Sequence, residues 1–125
     1  MHEFLEHTGD IKVRVKSCCF KEALKELLNV MFDIVKAKGD GEAYLVIKSS
    51  GETKEDIVVN LLNDVLSEIE IKRLIPVSVE DIKVMNEKVS VKIKCKKGNP
   101  NTMIKAVTYH QLKVNDGEIE VVFDI

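Results

Sequence analysis

Val89-Ser90-Val91-Lys92-Ile93-Lys94-Cys95-Lys96 decides the fold. Apolar and polar residues alternate without a break, so one face of an extended chain is oily and the other is almost wholly lysine. A period of two is the mark of a half-buried strand. Just before it, Val77, Val79, Ile82 and Val84 lead to Asn86-Glu87, a turn pair, and the two runs together predict a hairpin. No helical pattern follows anywhere after Pro76. Gly98-Asn99-Pro100-Asn101 predicts a loop, Ile104 to Val114 another strand, and Asn115-Asp116-Gly117 a turn into a last strand, Glu118 to Ile125, with Ile119, Val121, Phe123 and Ile125 on one face.

Working back towards the start, the period changes. Ile57, Val58, Leu61, Leu62, Val65 and Ile69 recur at three and four residues, and Thr53 with Asp56 three residues on predicts a capping box for that helix. Tyr44 to Lys48 reads as a short buried strand after a turn at Gly39-Asp40-Gly41. Phe20, Leu24, Leu27, Leu28, Met31 and Val35 make a second apolar stripe, for which Ser17 is the candidate cap, Lys36 and Lys38 the last turn and Gly39 the stop. Ile11, Val13 and Val15 alternate with Lys12, Arg14 and Lys16 as a first strand. The expected order is therefore βαβα followed by about four strands. Parallel strands need crossover helices, and none separates the last four, so the expected class is α+β: one domain over residues 1–125, two amphipathic helices on mainly antiparallel sheets.

The 125 residues suffice for one core without staples, and three cysteines, two of them neighbours, form no disulfide framework. No apolar run approaches the roughly 20 residues that span a bilayer. Met1 to Asp10 carries acids and histidines where a signal peptide needs a basic and then an apolar stretch, which predicts a cytoplasmic protein. A net charge of −2 argues against a dedicated nucleic-acid binder, though not against local basic patches.

There is no glycine-rich phosphate loop, no paired histidines at helical spacing and no nucleophile elbow in the sequence. His7-Thr8-Gly9-Asp10, ahead of the first strand, offers Asp10 as an oxygen ligand for a hard cation, but the residues alone favour a simple turn. Asp124 is out of phase with Phe123 and Ile125 and so points away from the core. A pinned last strand would hold Asp124 and the main-chain oxygens of Ile125 in place, and Asp10 beside them would complete a hard-cation site. Lys105, Thr108, Tyr109 and His110 form a polar cluster in the expected strand, where a lone histidine suits a hydrogen-bonded structural role better than a base or ligand. A zinc set of His7, His110 and a cysteine lacks ligand-pair spacing. A small hydrolase built on His110 has no nucleophile to work with. Cys18 and Cys19 open the first helix, where a thiolate is favoured, but small apolar fillers are the better reading. Lys92, Lys94, Lys96 and Lys97 could meet RNA phosphate or an acidic partner, or merely discourage edge-to-edge aggregation.

Together these pieces resemble the archease family. His7-Thr8-Gly9-Asp10 is similar to that family's His-Thr-Ala-Asp element, Lys105-Ala106-Val107-Thr108-Tyr109-His110 reproduces its most specific run unchanged, and Val121-Val122-Phe123-Asp124-Ile125 resembles its closing strand, with the helix bearing Leu61-Leu62-Asn63 also in register. The resemblance implies a protein that is not itself an enzyme but activates the GTP-dependent RNA ligase of tRNA splicing, promoting guanylylation of the ligase and its multiple turnover. It implies a divalent cation, calcium first and magnesium or manganese as alternatives, held by Asp10 and Asp124 with a backbone oxygen of Ile125. His7, Lys105 and His110 would face the partner. The alternative is an RNA-binding or chaperone module assisting a tRNA methyltransferase, with tRNA as a further partner. Departures are Gly9 for alanine, Ile11-Lys12 for the common Val-Gly, and a loop from Lys97 to Met103 that is short and lacks the family's Gly-Glu and Lys-His elements.

Overall fold

The computed structural model describes residues 1–5 and 10–125; the His7-Thr8-Gly9 part of the first motif lies outside them. The chain runs β1 (His2–Leu5), β2 (Asp10–Lys16), α1 (Phe20–Ile34), β3 (Asp40–Ser50), α2 (Lys54–Lys72), β4 (Leu74–Met85), β5 (Lys88–Lys97), β6 (Ala106–Val107), β7 (Lys113–Val114) and β8 (Glu118–Asp124). These strands build two antiparallel sheets. The first has the order β1-β2-β8-β6, with β7 also on β8, and the second the order β3-β5-β4. Both helices touch both sheets: α1 packs on β4 and also on β8 and β2, and α2 on β3 and also on β6 and β7. One continuous core results, in which Leu24, Leu27, Leu28, Leu61, Leu62, Val91, Ile93, Val121 and Phe123 are sealed from solvent. The α+β expectation and the antiparallel pairing both hold.

The capping box at the start of α2 forms as expected, with the Thr53 side chain accepting from the Asp56 amide and Asp56 from the Thr53 amide. Arg73 ends the helix in the left-handed conformation, and Pro76 falls inside β4 at a bulge between Pro76 and Ser78. An edge strand tolerates proline because one row of its amides has no ladder partner. The Asn86-Glu87 hairpin is also present, with Asn86 at positive φ.

Four local expectations are corrected. α1 is capped by Cys19 in extended backbone and not by Ser17, whose amide instead donates to the Gly117 carbonyl, 2.7 Å. It stops at Ile34 and not at Gly39, because the Val35 carbonyl accepts from the Asn101 amide, 2.9 Å, which ends the helix without a glycine. Gly39-Asp40-Gly41 is no free turn: Asp40 and Gly41 open an 11-residue β3 through a bulge, with Gly41 at φ 74°. The strand expected from Ile104 to Val114 is two short bridges, β6 and β7, separated by a turn with Gln111 at φ 55°. Alternation of apolar residues cannot distinguish one strand from two that share a partner, since both place the same side chains inward.

Candidate metal centre

β8 is the middle of the first sheet. Its core face, Ile119, Val121 and Phe123, is fully buried, which fixes the register and so fixes where the intervening residues point. On the opposite face Asp124 lies directly across from Asp10 of β2, and on its other side Ala106 of β6 takes the same level. The Asp124 carbonyl accepts from the Lys105 amide at 2.7 Å, so the residue is held from both edges. Residues directly opposed in an antiparallel pair put their side chains on one face with Cβ atoms about 5 Å apart, and like charges so placed destabilise the pair by roughly 0.2–1 kcal/mol. A cation between them reverses that sign. Ile125, half buried against the core, follows immediately. Asp10, Asp124 and the main chain of Ile125 offer oxygen donors, which suit a hard cation. Among the described residues no three or more His, Cys, Asp or Glu side chains cluster as a metal set.

Lys12 follows Asp10 by two residues. It pairs with Val122, and its charge, with those of Arg14 and Lys113, bears on Glu120 further along β8. That carboxylate is buried. It accepts from Arg14 Nε at 2.7 Å, with Lys113 Nζ at 3.7 Å, and the Arg14 hydrogen bond holds it below the usual carboxyl range against the opposing effect of burial. Arg14 is raised in turn by the same bond, and it also donates to Glu3 at 2.8 Å. The result is an ion-pair chain across β1, β2, β8 and β7 on the outer face of the sheet. The sequence carried the signal for it, basic residues out of phase on β2 and acids out of phase on β8.

The run Lys105 to His110 is held by α2. Asn63 Nδ2 donates to the Val107 carbonyl at 2.8 Å, and Asn63 Oδ1 accepts from the Val107 amide at 2.9 Å, so one carboxamide acts as the neighbour that β6 lacks on its outer edge. Further on, the Tyr109 hydroxyl donates to Asp56 at 2.5 Å, which lowers the Asp56 carboxyl and raises the Tyr109 phenol. Lys105 stands next to the level of Asp124, whereas His110 lies in the turn between β6 and β7, with its amide donating to Thr108 Oγ1 at 3.3 Å. The structure thus brings Asp10, Asp124, Ile125 and Lys105 to one end of the sheet and places His110 in the turn between β6 and β7; His7 is outside the described residues. The cysteines do not join them. Cys18 and Cys19 precede α1 at the opposite end of β2, and Cys95 is buried in the second sheet, where desolvation pushes its thiol up to about 11.

Such a domain, with an acidic pair closing its first sheet and a side chain of α2 completing β6, belongs to a recognisable class of small α+β proteins. The archease protein family matches residues 2–125, and the chain belongs to that family. Protein archease of Methanosarcina barkeri is 30% identical over 141 residues, covering 99% of this chain and 95% of the relative. That of Pyrococcus abyssi is 28% identical over 90% and 86%. The crystal structure of an archease from Thermotoga maritima, described as a possible chaperone, superposes with a TM-score of 0.66 at 27% identity over 100% of this chain and 98% of that one. No helix among the described residues is long and apolar enough to cross a membrane.

Proposed function

We propose that this protein activates a GTP-dependent RNA ligase of tRNA splicing by presenting a divalent cation, calcium in the first instance, from the paired carboxylates of Asp10 and Asp124. One observation carries the reading: two acids 114 positions apart in sequence are direct partners in the β2-β8 ladder. A cation there would supply fixed positive charge at the rim of the sheet, where a partner's phosphates or its own acidic groups could meet it. Asp10 and Asp124 bind and orient it, and the main-chain oxygens of Ile125 would assist. The double grip of β2 and β6 on β8 keeps the carboxylates from moving apart. Lys105, at the same end, adds an exposed cation to the face that would meet the ligase, and the Asn63 and Tyr109 contacts keep that segment in one shape.

The test is guanylylation of the cognate ligase with GTP, with the parent protein or with Asp10→Ala or Asp124→Ala. Both variants should fold, since neither side chain is in the core, and both should lose stimulation. Full stimulation by both variants would end the proposal. The methyltransferase alternative gives the acidic pair no part to play, and would be favoured by that outcome.

A further inference from the structure

The second sheet offers a feature that the cation site does not use. β5 is its central strand, flanked by β3 and β4. Its lysines therefore do not guard an edge, the only bland explanation the sequence supplied for them. The inner face of this sheet packs on the helices, and the outer face is open. Along β5 that face presents Lys88, Ser90, Lys92, Lys94 and Lys96, and no acid occurs between Lys88 and Lys97. Lys48 of β3, opposite Ser90, and Lys83 of β4, on its other side, add to the row. The acids of this face, Glu42, Glu80 and Asp81, lie on the flanking strands. Glu42 pairs with Lys94 at 3.7 Å and Asp81 with Lys83 at 3.9 Å. Lys48, Lys88, Lys92 and Lys96 are left as a positive track through the centre of a chain whose net charge is −2.

The track is not purely charged. Tyr44 is 49% exposed and Val46 55% exposed on the same face, and Lys92 Nζ stands 4.8 Å from the centre of the Tyr44 ring. At the turn end a shallow depression of about 810 Å³ is lined by Lys48, Lys83, Lys88, one acid, Glu87, and the exposed Met85, among others. We infer that the open face of the β3-β5-β4 sheet is a docking surface for single-stranded RNA. Lysines at alternate positions of a strand repeat about every 6.7 Å, close to the spacing of successive phosphates in an extended polynucleotide. An exposed aromatic ring beside them is the platform on which a base stacks. A base on Tyr44 would take the place of the Lys92 ammonium and leave it to pair with the adjoining phosphate. An acidic protein surface would satisfy the lysines but would have no use for Tyr44. That the polynucleotide is RNA rests on the ligase reading; the charge and stacking geometry does not.

The experiment uses the full chain without ligase and with EDTA present, so neither the cation site nor ligase activation affects its outcome. Binding of a fluorescein-labelled, unstructured 20-nucleotide RNA is followed by anisotropy across a salt series. With about four phosphates engaged, log Kobs against log salt should fall with a slope near −3, and Kd should lie roughly between 1 and 100 µM at physiological salt. Lys92→Glu with Lys96→Glu should weaken binding at least tenfold at low salt and roughly halve the slope. Tyr44→Ala should cost about fivefold or more while Tyr44→Phe binds as the parent does. Circular dichroism confirms that the variants fold. Parental binding by the double lysine variant overturns the inference. So does an unchanged affinity in Tyr44→Ala combined with equal competition by polyglutamate, which would assign the face to an acidic protein instead.

Discussion

Replacing Asn63 probes the joint between helix and functional segment. In the parent this half-buried carboxamide makes both hydrogen bonds that a neighbouring strand would make to Val107, at 2.8 and 2.9 Å, and Val107 is 2% exposed. A net hydrogen bond contributes about 1 kcal/mol, and a buried backbone group left without a partner costs roughly 1–3 kcal/mol. Water can reach part of the gap left by alanine, so the lower half of that range applies to each group. Asn63→Ala should thus lose about 3 kcal/mol in guanidinium unfolding followed by circular dichroism, with Tm falling by roughly 10 °C. Asn63→Asp separates the two bonds. Its carboxylate can still accept from the Val107 amide but repels the Val107 carbonyl, whereas its protonated form can donate to that carbonyl. The folded state then favours the protonated acid, so the new carboxyl's pKa is raised above its unfolded value. A raised acid pKa means the folded chain binds more protons, so stability falls as pH rises through that pKa. Asn63→Asp should therefore be closer to the parent at pH 4 than at pH 7. A loss below about 0.5 kcal/mol in Asn63→Ala, or an Asn63→Asp protein with the parent's pH dependence, would refute the claim that this side chain completes β6.

Calcium at millimolar concentration should raise the Tm of the parent by mass action and leave Asp10→Asn and Asp124→Asn unmoved. Equal calcium shifts in all three would contradict this. The lowered pKa of Glu120 stabilises the fold above the carboxyl's unfolded value and is lost as pH falls through the lower folded one, so urea unfolding of the parent should weaken below about pH 4.5; Glu120→Gln should lack that component, and superimposable pH profiles would count against the Arg14 pairing. Cys95, with its thiol pushed up to about 11, should resist a disulfide reagent at pH 8 until the protein unfolds, while exposed Cys18 reacts in the native state. Native labelling of Cys95 at the rate of Cys18 would be the contrary result.

Much of this was legible in the residues. Period-two and period-3.6 patterns located both helices and the β4-β5 hairpin, because the core imposes them directly. The capping box was legible because Thr53 and Asp56 satisfy each other locally. Elements whose cause is remote were not. The end of α1 depends on an amide at Asn101, the break between β6 and β7 on a turn that α2 holds through Asp56, and β1 on pairing with β2, for which His2 to Leu5 carries no alternation of its own. The site shows the same division. Asp124 could be assigned to the outer face from its phase against Phe123, but that Asp10 stands opposite follows only from the ladder. Asn63 looked like one polar residue on a helix, and nothing in its neighbours announced a bond to Val107, 44 positions away.

Calorimetric titration of calcium into the metal-free protein tests the central claim most directly. One site per chain in the parent, with no measurable heat of binding in Asp124→Asn, is the expected result. Equal binding by parent and variant would contradict it, since the cation would then lie somewhere other than between the two ends of the β2-β8 ladder.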